Sequence, residues 1–195
     1  MPVVSVVDDG VVRIGIFDHF GWAVAVTATD DHEVVDRRRL ELVDEGLTQA
    51  PIHYDAKDLD DEALASSIAE VAASALRVGG AGLDRLAADV GRPIATFSLR
   101  TWPSDFPTEM ATLRQSPWEA RADAVMYRQV LAVVAEARGW DVRTFDAKTV
   151  LDQAAAVLGP RTDEVLVSPK ERLGAPWTKD HRIALAATVV ATAAP

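Results

Sequence analysis

At 195 residues, with 49% hydrophobic and 26% charged side chains, the chain has the composition of a globular protein rather than a disordered one. It contains no cysteine, which excludes disulfides, thiolate metal sites and thiol nucleophiles and fits a cytoplasmic protein. Its formal net charge of −10 argues against unspecific binding to nucleic acid, which depends on many Lys and Arg contacts to phosphate.

The length suits one domain spanning 1–195, large enough to bury a core without cross-links. The opening "MPVVSVVDDGVVR" has no basic region followed by an apolar core, so no signal peptide is expected. The longest apolar run, "IALAATVVATAA", is too short and too rich in Thr and Ala to span a bilayer, and no membrane association is expected.

In chain order, the β-branched run at 11–16 reads as a strand, broken by Asp18, His19, Phe20 and Gly21. "WAVAVTAT" reads as a second strand joined to the first by a hairpin. After the turn at Asp30, Asp31 and His32, "EVVDRRRLELVD" reads as a third. Its Arg37, Arg38 and Arg39 cannot all face a core, so it belongs at a sheet edge. "EGLTQAPIHYDAKDLD" reads as a loop, with Asp60 or Asp61 capping the next helix. Leu64, Ile68, Val71, Ala72, Ala75 and Leu76 share one helical stripe, and "GGAG" at 79–82 is expected to break that helix before a shorter one at 83–90. No Gly-Lys-Ser/Thr follows those glycines, so they are not a phosphate-binding P-loop.

"RPIATFSLRTW" reads as the fourth strand. After a proline-punctuated connection, Ser116 is expected to cap a helix, with Pro117 at its first position and Glu119 at its third. Trp118, Ala122, Val125, Met126, Val133 and Ala137 give that helix an apolar face, and Gly139 ends it. "WDVRTFD" reads as the fifth strand and "AKTVLDQAAAVLG" as a helix closed by Gly159 and Pro160. A polar loop leads to a final helix beginning at Lys179 or Asp180. The order β-β-β-α-β-α-β-α predicts an α/β fold with a five-stranded mixed sheet, three antiparallel strands followed by parallel ones reached through right-handed crossovers.

That order resembles the ribonuclease H-like fold. "IGIFDHFGWAVAV" looks like the first hairpin of RuvC-type resolvases, and "KDHRIALAA" looks like their last helix. "ARGWDVRTFDAKTV" sits where that family has its fifth strand and the helix after it. "RRRLELVDEGL", "ADAVMYR" and "ARGWDVRTFDAK" resemble a group of actinobacterial proteins, a likeness that brings no activity with it.

The nuclease resemblance implies a nucleic-acid-processing protein, a metal-dependent endonuclease in which carboxylates from strands one and four and the last helix hold two divalent ions. It implies Mg²⁺ or Mn²⁺ as cofactor, because such ions prefer hard oxygen ligands. Asp18 maps to the first-strand position and Asp180 to the last-helix position, making them the metal ligands and catalytic carboxylates. Glu119 is the best remaining carboxylate, with His181 or Lys179 assisting at the phosphate. The partners implied are branched or single-stranded nucleic acid and a second copy of the chain in a homodimer. Two positions depart from the pattern: Ile183 replaces a further polar residue on the last helix, and Arg100 stands where a carboxylate is wanted on strand four. Arginine there would repel a cation and attract a phosphate or carboxylate. The alternative is therefore a non-catalytic interaction module, or a binder of small anions through Arg100, Lys148 and Lys179.

Other polar features have two readings each. His53, Tyr54, Asp55 and Lys57 form either a plain surface loop or a group that reaches the cleft. Glu119, Asp123 and Tyr127 share a helix face, with Arg128 beside it; that face is either solvated or aimed at the sheet edge. Asp146 is either a helix cap or, with Lys148, part of a ligand edge. The five tryptophans are scattered and read as core or rim residues.

Overall fold

The structure, a computed structural model, describes residues 10–193, so most of the stretch read for a signal peptide lies outside the described residues. Five strands form one sheet: β1 (Val12–Asp18), β2 (Trp22–Thr29), β3 (Val34–Glu41), β4 (Ile94–Arg100) and β5 (Asp141–Phe145). Their spatial order is β3-β2-β1-β4-β5. β1, β2 and β3 pair antiparallel, while β4 pairs parallel with β1 and β5 parallel with β4. This is the five-stranded mixed sheet that the element order predicted, three antiparallel strands followed by parallel ones.

Both faces of the sheet are covered. Ile14, Ile16, Ala23 and Ala25 face one core together with Leu83 and Leu86 of α2 (Asp61–Val90) and Leu131 of α4 (Glu119–Glu136). Val24, Val26 and Ala28 face the other, with Ala154 of α5 (Val150–Leu158) and Leu185 of α8 (Lys179–Ala193). The period-two alternation along β2 thus separates two apolar layers. Gly15 lets α8 lie directly on β1, because a Cβ at that position would collide with the backbone carbonyl of Ala184.

β3 is an edge strand, as its arginines suggested, and each has a partner. Arg37 gives hydrogen bonds to the carbonyls of Leu173, Gly174 and Pro176 and so clasps the chain entering α8. Arg38 turns to the other side and bonds Asp36 and Asp89. Asp60 caps α2 by accepting from the Ala63 N–H at 2.8 Å.

Four expectations need correction. α2 runs unbroken through 79–82, because Gly79, Gly80 and Gly82 are buried and let neighbouring side chains approach closely; a Cβ on Gly79 would lie 3.3 Å from Leu42. The loop at 45–60 contains a short helix, α1 (Pro51–Asp55). The loop after α5 contains a 3₁₀ turn and the short helices α6 (Thr162–Leu166) and α7 (Pro169–Leu173). Ser116 does not cap α4. A turn in which the Trp118 N–H bonds the Gln115 carbonyl at 2.7 Å carries the chain into a helix starting at Glu119, after the four-residue α3 (Met110–Leu113). Among the described residues no helix is long and apolar enough to cross a membrane.

Candidate functional site

β1 and β4 run parallel and finish at the same sheet edge, the usual ligand side of open α/β sheets. Gly15 pairs with Ser98, so Asp18 and Arg100 both end their strands there. Asp18 is 1% exposed. Arg100 meets it in a forked contact, Nε to Oδ1 at 2.7 Å and Nη2 to Oδ2 at 2.6 Å, and Nη2 also reaches the Asp18 carbonyl. Arg128 of α4 adds an Nε to Oδ2 bond at 3.0 Å and holds the Thr101 carbonyl with Nη1. Burial lowers the pKa of Arg128 from its ordinary value, with Asp18 opposing that effect and Arg100 adding to it.

These groups line a cleft of about 410 Å³. Phe17, His19 and Phe20 form its wall on the β1 side, and Ala120, Arg121, Ala124 and Arg128 its wall on α4. Three arginines and a single carboxylate therefore line the cleft, a local cationic excess on a chain whose net charge is −10. Ala120 and Ala124, without bulk, leave room between the two walls.

Asp180, in the first turn of α8, faces the residue after Asp18: its Oδ2 lies 3.1 Å from His19 Nε2. The His19 ring stacks on Trp22 with centroids 3.9 Å apart, and Arg39 lies over the same indole. The last helix is thus brought to the end of β1, as expected, but its carboxylate is oriented on an imidazole. His181 turns away: its Nδ1 accepts the Thr178 N–H at 3.2 Å and meets the Thr178 hydroxyl at 2.8 Å. Burial lowers the His181 pKa, helped by Arg37 and opposed by Asp180. Glu119 comes just before the cleft wall, with Oε2 buried and without a hydrogen-bond partner. Lys148 and Lys179 are exposed, and neither lines the cleft. Asp146 accepts the Lys148 N–H at 2.9 Å, a local turn leading into α5.

The donors do not fit Mg²⁺ or Mn²⁺. Both oxygens of Asp18 accept from guanidiniums, and Asp180 is engaged by His19. Among the described residues no three His, Asp or Glu side chains gather as a metal site.

The inner face of α4 holds a neighbouring segment. Asp123, 1% exposed, accepts the Ile52 and His53 N–H groups at 3.2 and 2.9 Å, and the Tyr127 hydroxyl donates to the Gln49 carbonyl at 2.7 Å. Burial pushes the Asp123 carboxyl up to about 6, against the opposing pull of those two N–H donors. The shared face of Asp123 and Tyr127 is therefore aimed inward. His19 and Arg121 did not stand out as site residues in the sequence, and Arg128 stood out only as the neighbour of the Glu119, Asp123 and Tyr127 face. The available signal was the seven-residue spacing of Arg121 and Arg128, which puts two cations on one face of a helix that follows β4.

No protein-family model matches the sequence, and no curated protein matches it. Among solved structures, the chain is similar to Thermus thermophilus RuvC in complex with Holliday junction substrate, at 14% identity over 93% of this chain and 92% of that one, with a TM-score of 0.48. It is similarly related to a second Thermus thermophilus RuvC structure, at 14% identity over 92% of each chain and a TM-score of 0.47.

Proposed function

We propose that the protein binds a phosphate group in the cleft between β1, β4 and α4, without a divalent cation. A sheet edge suited to gathering metal ions would here gather an anion instead. The observation that carries this reading is the Asp18 carboxylate held by both Arg100 and Arg128. One carboxylate offsets one guanidinium, and the excess positive charge faces the cleft.

Arg100 uses Nε and Nη2 on Asp18, which leaves Nη1 for a ligand. Among the described residues Arg121 forms no ion pair, and its guanidinium lies 6.0 Å from the Trp118 ring. Guanidinium suits phosphate because its N–H groups form a fixed fork that matches two oxygens at once. Asp18 would act as the fixed counter-charge that sets both arginines in position. The overall charge of −10 favours a single phosphate-bearing ligand over a long nucleic acid track. This reading makes the protein a binding module; the nuclease activity implied by the resemblance would need a cation that these donors do not suit.

Isothermal titration with inorganic phosphate and pyrophosphate, in chelator and then in millimolar Mg²⁺, tests it. Binding in chelator that weakens in Arg121→Gln supports the reading. Binding that needs Mg²⁺ and is lost in Asp18→Asn would instead support the metal-dependent nuclease.

A further inference from the structure

α4 serves two regions from two faces. Ala120, Arg121, Ala124 and Arg128 line the cleft, while Asp123 and Tyr127 hold the segment at 49–53. A buried carboxylate needs hydrogen-bond donors, and Asp123 finds both of its own at the start of α1. This five-residue helix is therefore tied to the same element that forms the cationic wall.

α1 carries His53 and Tyr54 outward, and Tyr54 is 54% exposed. Their rings meet Phe20, which lines the cleft. Phe20 and His53 have centroids 5.7 Å apart, and Tyr54 stands edge-on to Phe20 at 6.4 Å. An anchored aromatic ledge thus lies at the mouth of an arginine-lined cleft. A ring on a fixed support presents its face to a planar ligand at small entropic cost, and the edge-on Tyr54 gives the Phe20 face a border.

Resting on the phosphate-binding reading, we propose that the ligand is a nucleoside phosphate. Its phosphate meets Arg100, Arg121 and Arg128, and its base stacks on the Phe20 ring while Tyr54, standing edge-on to Phe20, borders it. The cleft volume of about 410 Å³ falls within the range of small-molecule sites. The ledge adjoins the cleft through Phe20, so one ligand can reach both. Tyr54 supplies the exposed outer edge, and its replacement leaves the core untouched.

The test is isothermal titration of the full chain, in chelator, with AMP, ribose 5-phosphate, inorganic phosphate and a short oligothymidylate. AMP is expected to bind at least about tenfold more tightly than ribose 5-phosphate, the advantage of a stacked base. Tyr54→Ala and Phe20→Ala are each expected to bring AMP down towards ribose 5-phosphate. Equal affinity for AMP and ribose 5-phosphate, with inorganic phosphate still bound, overturns the ledge and leaves the phosphate cleft standing. Loss of binding to every phosphate compound overturns both. Tight binding of oligothymidylate without binding of AMP overturns the proposal in favour of a polymeric ligand.

Discussion

Arg100 and Asp18 form a buried two-point ion pair at the joint end of β1 and β4, with the Asp18 side chain wholly out of solvent and that of Arg100 23% exposed. Removing one partner leaves the other charge buried without compensation, which typically costs about 3–5 kcal/mol. Arg100→Leu leaves Asp18 with Arg128 alone, so stability in urea unfolding is expected to fall, by less than that full amount. The double variant Asp18→Asn with Arg100→Leu should recover part of the loss, a coupling that a double-mutant cycle measures.

Millimolar Mg²⁺ or Mn²⁺ is expected to leave the melting temperature unchanged. A ligand that binds only the folded state raises apparent stability by mass action. A metal-dependent rise that disappears in Asp18→Asn would show that the guanidiniums give way to a cation.

Asp123 should make stability depend on pH in an unusual direction for a carboxylate. Burial raises its pKa to about 6 in the folded chain, with His53 pulling down and Asp55 pushing up beside it. Unfolded, the group titrates near 3.9, so between about 4 and 6 the folded state holds the extra proton. This group's stabilising contribution is therefore fully present below about 4 and is lost as pH rises through about 6. Asp123→Asn should flatten that part of the profile, measured as thermal stability against pH in paired samples.

Arg37→Ala is expected to loosen the entry to α8, because its guanidinium satisfies the carbonyls of Leu173, Gly174 and Pro176 together. Hydrogen exchange should speed up at 173–182 while the central strands stay protected. Equal protection in both proteins would mean that the clasp adds nothing.

Gly15→Ala places a methyl group against the Ala184 carbonyl. Relief requires α8 to move off β1, so a loss of several kcal/mol is expected, as in other overpacked cores. Gly46→Ala, where nothing lies within 4 Å of the added carbon, is the control for a positive-φ glycine strained only by its backbone.

The strands were legible because β-branched runs bounded by Gly and Asp leave few other options, and the parallel pairing of the later strands followed from their alternation with helices. The continuity of α2 was not legible. Glycine lowers helix propensity, but at 79, 80 and 82 tertiary packing overrides that preference. Arg100 could be singled out from its place on β4, and its attraction to an anion followed from charge. That the anion would be Asp18, with Arg128 beside it, depends on contacts across 82 and 110 residues. Local patterns do not encode such pairings. Likewise, Tyr54 read as a loop residue because Asp123, which anchors α1 through the Ile52 and His53 N–H groups, lies far along the chain.

The seat of α8 on β1 has a consequence for how this scaffold can change its chemistry. At Gly15 the helix backbone meets the strand with no side chain between them, so their relative height does not depend on what either carries at its tip. Asp180 lies one turn before that contact and Asp18 three residues beyond it. The two tips therefore stay level whether the residues there are acids or bases. A fulcrum made only of main chain sets the spacing of strand and helix, so side chains at the two tips can be replaced without altering the seat beneath them.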